Sequence, residues 1–157
     1  MAELNLGELY SFIVEAGSST YAGGGLPVEI PQRYGHIELE YSSGDYIYRD
    51  SYTGHTRSQG SEYVIYRENV IWENGYGGGM INGKENLADE CFSFLKKAML
   101  QKDISAQSFR GPKSFKSSDW EYKYSQEGDV SRFTGHEEIF YKGELVFFHD
   151  VNGGVLR

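Results

Sequence analysis

Eight stretches of the chain alternate side chains with period two and are cut apart by turn formers: 34–41, 45–52, 62–67, 70–74, 119–124, 129–134, 137–141 and 144–149. Short runs so punctuated build antiparallel sheet, because a tight turn returns each strand beside the one it leaves. Ser43-Gly44, Glu68-Asn69 and Lys142-Gly143 are the expected hairpin turns. The apolar inventory agrees: 13 Tyr, 9 Phe and 2 Trp among 157 residues favour pleated, half-buried surfaces over helix bundles.

Two segments carry the helical period instead. Between Asn5 and Ala16, Leu6, Leu9, Tyr10 and Ile13 fall at i, i+3, i+4 and i+7, Asn5 and Glu8 form a capping pair, and Gly17 supplies a stop. Phe12 lies off that stripe, which predicts more exposure for it than for Phe94. Leu87, Cys91, Phe94, Leu95, Ala98 and Met99 share a second stripe, with Glu85, Asp89 and Glu90 early and Lys96, Lys97 and Lys102 late, as the helix dipole favours.

The order of these elements recurs. Glu8 to Ile13 with Ala16 matches Glu90 to Leu95 with Ala98 at a constant offset of 82, and Gly60-Ser61-Glu62 through Gly78-Gly79 matches Gly135-His136-Glu137 through Gly153-Gly154 at a constant offset of 75. The expected fold is therefore α+β: two diverged helix-plus-four-strand antiparallel repeats, 1–82 and 83–157, packed about a pseudo-two-fold axis as one domain spanning 1–157. A length of 157 residues suits one domain. A cleft where the repeats meet is the expected site.

Composition narrows the function. With 23 acidic and 15 basic residues the net charge is −8, which disfavours binding to a phosphate backbone, so no direct nucleic-acid partner is expected. The lone Cys91 can form no internal disulfide, and no apolar run reaches the length of a membrane span, which together suggest a cytoplasmic protein with no membrane partner. Oligomeric state is left open.

Several motifs read best as structure. Gly78 to Lys84 spells G-x-x-x-x-G-K, but Glu85 stands where a Ser or Thr hydroxyl should reach magnesium, and the surrounding sheet is antiparallel; a linker between repeats fits better. His36, His55, His136 and His149 show no metal-ligand spacing, so neither metal nor cofactor is expected. Cys91 lies on a buried helical stripe, and no nucleophile, base and orienter can be nominated as a catalytic set. Arg110, in Arg110-Gly111-Pro112, either pairs with a carboxylate or braces its loop.

Thr20 to Gly25, the run Gly44 to Gly54, Trp72, Gly78-Gly79, Arg110-Gly111-Pro112 and Gly135-His136-Glu137 together resemble a bacterial domain family of unknown function, found alone or C-terminal to Xre-type helix-turn-helix regulators. Gly60-Ser61-Glu62 departs from the Gly-Glu-Glu of that pattern. The resemblance implies regulation by a ligand or partner and carries over no catalytic residue.

The candidate ligand site rests on Glu62 and Glu137, each read as the start of a strand, within aromatic walls of Trp72, Tyr66, Tyr141 and Phe147. Paired carboxylates among ring faces suit a cationic or aromatic ligand. Tyr46, Tyr48 and Tyr52 share one strand face, which reads as core before binding stripe. The favoured function is a non-catalytic ligand-sensing or small-molecule-binding domain; the alternatives are a protein-interaction module, such as an immunity or antitoxin-like partner, and an enzyme of unknown class.

Overall fold

The computed structural model describes residues 4–103 and 107–157. Helix α1 spans Leu6–Ser19, and the Asn5 side chain caps it by accepting from the N–H groups of Gly7 and Glu8 at 3.0 and 3.2 Å. Gly17 does not stop it. The helix ends at Thr20, whose hydroxyl bonds back to the Ala16 carbonyl at 2.8 Å. Four strands follow: β1 Ile37–Ser43, β2 Tyr46–Gly54, β3 Arg57–Tyr66 and β4 Asn69–Met80. A short 3-10 turn leads into helix α2, Ala88–Met99, and then β5 Ser114–Ser117, β6 Trp120–Asp129, β7 Arg132–Tyr141 and β8 Glu144–Val155.

All eight strands form one antiparallel sheet in the order β1-β2-β3-β4-β8-β7-β6-β5. This corrects the expectation of two helix-plus-four-strand repeats packed as one pseudo-two-fold domain with a cleft where they meet. The α+β class holds only in the looser sense of two helices on a single sheet. The physical reason is the strand edge. β4 and β8 are long, and each satisfies its outer row of N–H and C=O groups on the other, from Trp72 opposite Val155 to Met80 opposite Phe147. No cleft between two sheets is left.

Gly78 and Gly79 are consequently strand residues rather than a linker. Both have φ near +149°, and a Cβ on Gly78 would meet the Phe148 carbonyl oxygen at 2.1 Å, so glycine is needed where β4 crosses β8. Two hairpin turns, Arg67-Glu68 and Lys142-Gly143, have positive φ at both central residues, the form whose twist matches the strands. The first lies one residue earlier than the expected Glu68-Asn69.

Both helices and the inner sheet face bury one core, in which Leu9, Ala16, Val64, Trp72, Cys91, Ala98, Tyr122 and Ile139 are fully enclosed. Phe12 is as buried as Phe94. The first packs on Tyr41 and Tyr46 and the second on Phe115 and Trp120, so α1 buries two sides and the exposure expected for Phe12 is wrong. Cys91 is a core residue whose thiol is pushed up to about 12 by burial. Among the described residues no helix is long and apolar enough to cross a membrane.

Candidate functional site

Residues two apart on a strand share a face. Tyr48, Asp50 and Tyr52 of β2, Ser58 and Glu62 of β3, Asn74 and Tyr76 of β4, and Phe147 and His149 of β8 therefore point the same way, beneath α2. A cavity of about 230 Å³ opens there, smaller than the roughly 300–1,000 Å³ of drug-sized clefts. Phe92, Leu95, Lys96 and Met99 of α2 form its roof, Tyr21 closes one side, and Tyr52, Tyr76 and Phe147 add apolar wall. Its polar floor divides into two parts of different character.

The first part is neutralised. Glu137, wholly buried in β7, receives Arg110 Nε at 3.1 Å and Nη2 at 2.5 Å on Oε1, and the Tyr122 hydroxyl at 2.6 Å on Oε2. Gly111 N–H in turn donates to the Tyr122 oxygen at 2.8 Å, tying the Arg110-Gly111-Pro112 loop to the sheet. His149 Nδ1 accepts from Arg110 Nη2 at 3.3 Å and lies 3.3 Å from the same Oε1, and Nε2 lies 3.2 Å from Ser58 Oγ. Burial pushes the Glu137 carboxyl up, but the Arg110 charge and the His149 and Arg110 hydrogen bonds outweigh it and hold the group at about 2. Burial likewise lowers the His149 imidazole below its ordinary value, keeping it neutral at pH 7.

The second part is not neutralised. Asp50 and Glu62 face each other across β2 and β3, and Glu62 faces Asn74 across β3 and β4. The Tyr76 hydroxyl donates to Asp50 Oδ1 at 2.6 Å, Asn74 Nδ2 donates to Glu62 Oε2 at 3.0 Å, and the buried Tyr48 phenol also bonds the Glu62 carboxylate. Neither carboxylate has an ion-pair partner among the described residues. Arg110, which also lines the cavity, bonds Glu137 and His149 and acts on Asp50 and Glu62 without forming an ion pair to either, and burial holds the Lys102 ammonium below its usual range. Asn74 Oδ1 has no donor, adding an unmet acceptor behind Glu62. Burial first, and the Glu62 charge second, raise the Asp50 carboxyl to about 7.

The residues expected at the site are only partly brought together. Glu62 and Phe147 line the cavity. Glu137 lies sealed beneath it, and Trp72 is core, stacked near Phe109 and Phe133 with its indole N–H on the Val130 carbonyl at 3.1 Å. Tyr66 and Tyr141 sit at hairpin ends, against Tyr46 and Trp120 respectively. The glutamates are not strand starts but the sixth residues of ten-residue strands, so each tyrosine lies four residues, about 13 Å, further along. Expectation missed Asp50, Tyr76, Ser58 and His149. Asp50 alone had a usable signal, since it shares its strand face with Tyr48 and Tyr52.

Among the described residues no three His, Cys, Asp or Glu side chains are grouped to hold a metal ion. The family described as Domain of unknown function (DUF5680) matches residues 50–156, a span that includes Asp50, Glu62, Arg110, Glu137 and His149. No curated protein and no solved structure matches the chain.

Proposed function

From the premise that this chain belongs to the DUF5680 family, we propose that it is a ligand-sensing domain that binds a small organic cation in the cavity under α2. One observation carries the proposal: Asp50 and Glu62 are adjacent, buried, open to the cavity and without an ion-paired cation among the described residues. Burying such charges costs several kcal/mol each unless they are compensated. A fold that retains two of them side by side, when Asn or Gln would fit the same space, spends stability on something other than folding. An ammonium or guanidinium group restores the balance, and the rings of Tyr21, Tyr52, Tyr76, Phe92 and Phe147 suit its apolar body and attract its charge.

Two extensions belong to the same proposal. The acidic surface and single buried cysteine fit a bacterial cytoplasm, and a binding domain of this size suits regulation, either alone or behind an Xre-type DNA-binding segment. Thermal denaturation with a panel of amines, guanidines and quaternary ammonium compounds, against neutral and anionic analogues, tests the core claim. Saturation at about 100 times Kd stabilises by roughly 2.7 kcal/mol, a Tm rise of about 5–10 °C for a domain of this length. Glu62→Gln should abolish the rise. A response to anions instead, or to cations undiminished in Glu62→Gln, would place the ligand elsewhere.

A second reading has its own observation. Between α1 and β1, Leu26, Ile30 and Tyr34 are 90, 82 and 103% exposed, apolar side chains that a protein partner would cover. Silence across the whole compound panel, with capture of a defined protein dependent on these three residues, would favour the protein-interaction module.

A further inference from the structure

The cavity has a second polar end, and the tautomer of His149 decides its chemistry. Arg110 Nη2 lies 3.3 Å from His149 Nδ1, and a guanidinium can only donate. Nδ1 of the neutral ring is therefore the acceptor, and the ring proton sits on Nε2, 3.2 Å from Ser58 Oγ. Ser58 Oγ accepts that bond and keeps its own O–H, which reaches no acceptor among the described residues. Ser58 lines the cavity, so the line from Glu137 through Arg110 and His149 ends in a hydroxyl proton offered to whatever the cavity holds.

Two more donors line the same space. Lys96, in the α2 roof, has no ion-pair partner among the described residues, and its ammonium rests over the Tyr21 ring at 4.9 Å. Arg110 is only 4% exposed and borders the cavity, yet its Nη1 makes no hydrogen bond among the described residues. Donors without acceptors stand at this end, and carboxylates without a cation stand at the other.

The strand sets the distance between the two ends. Glu62 and Ser58 are four residues apart on β3, about 13 Å at roughly 3.3 Å per residue. The inward residue between them is Gly60, where a Cβ would meet the Tyr76 ring at 2.6 Å and Tyr52 Cβ at 2.7 Å. Those two tyrosines close over the strand, which makes the middle of the cavity apolar. One hydrogen-bond length of about 2.8 Å at each end leaves about 7 Å between the ligand's own polar atoms. At roughly 3.5 Å for every three bonds of extended chain, about six bonds cover that gap, an ammonium and a carboxylate separated by about four methylenes. A volume of about 230 Å³, at about 30 Å³ per water, admits about eight non-hydrogen atoms, the size of that molecule.

We propose that the ligand is a zwitterionic ω-amino acid, its ammonium seated on Asp50 and Glu62 and its carboxylate taking the donors of Ser58, Lys96 and Arg110. This rests on the cation reading of the same cavity and adds the ligand's other end. A plain amine leaves Lys96 and Ser58 unanswered. A glycine-sized α-amino acid, with its charges only about 3.5 Å apart, cannot touch both ends.

Titration calorimetry on the full chain compares δ-aminovalerate with pentylamine, which keeps the ammonium and the chain but lacks the carboxylate, and with glycine. δ-Aminovalerate should bind about 10–100-fold more tightly than pentylamine, the worth of charge-assisted bonds to its carboxylate, and glycine should bind least. The ratio of the first two affinities, read within each variant so that any general loss cancels, should fall toward one in Ser58→Ala and in Lys96→Met. Both changes fall on half-buried side chains at the cavity rather than in the core. A ratio of one in wild type, glycine binding as tightly as δ-aminovalerate, or a ratio that survives in both variants would overturn this inference and leave the cation site standing. No binding of either the amine or the zwitterion would overturn both.

Discussion

Glu62 and Glu137 hold the same place in their strands, each sixth of ten, both inward and both buried, yet they do opposite things. Glu137 meets a guanidinium, a phenol and an imidazole. Glu62 meets an amide, the Tyr48 phenol and a second carboxylate, but no guanidinium or imidazole. Position on a sheet fixes where a carboxylate points, whereas its cross-strand neighbours decide whether it supports the fold or weighs against it. His149 stands opposite Glu137 where Asn74 stands opposite Glu62, and Arg110 reaches only the former.

The largest expected effect is on the compensated side. Glu137→Gln leaves the Arg110 guanidinium buried without its counter-charge and should lower unfolding free energy by about 3–5 kcal/mol, read from denaturant titration. A loss below about 1 kcal/mol would remove the distinction between the two glutamates.

On the other side the sign reverses. The folded-state carboxyl of Asp50, at about 7, lies above its ordinary value of 3.8, so the fold holds that proton longer than the unfolded chain does. The stability it contributes is complete below pH 4 and is lost as pH rises through 7. Asp50→Asn keeps an acceptor for Tyr76 and should stabilise by up to about 4 kcal/mol at pH 8, and by almost nothing at pH 4. Glu137 runs the other way: with its carboxyl held at about 2, its contribution is present above pH 4.5 and lost as pH falls toward 2. Equal destabilisation by Asp50→Asn at both pH values would make Asp50 a structural residue like Glu137.

The smallest effect belongs to a residue expected at the site and found outside it. Tyr66→Ala should cost only about 1 kcal/mol, through its lost ring contact with Tyr46, and should leave any cation response unchanged. A lost response would bring the hairpin end back into the site.

Most of the secondary structure was legible because it rests on local rules. Period two gave the strands, the 3.6 period gave the helices, and Asn5 announced its cap. Strand lengths were not, since β3 begins at Arg57, in a stretch whose polar residues read as loop but whose pairing with β2 and β4 makes it strand. The merging of all strands into one sheet is a long-range choice between two edges, invisible to any local pattern. The site followed the same division. Glu62 was visible as the acid of a Gly-x-Glu pattern that recurs at Glu137, and Phe147 as an aromatic wall residue. Tyr66, Tyr141 and Trp72 were misplaced because nearness in sequence stood in for nearness in space. Ser58, His149 and Glu137 meet only through the registers of β3, β4, β8 and β7, which no spacing encodes.

Isothermal titration calorimetry of the best-stabilising amine, run at pH 7 in two buffers of different ionisation enthalpy, tests the cation site most directly. With Asp50 about half protonated before binding, a cation seated on the pair should release roughly half a proton per molecule bound, and both the heat and the release should disappear in Glu62→Gln. Binding with no proton released, and with the same affinity in Glu62→Gln, would mean that the Asp50–Glu62 pair is not where the ligand sits.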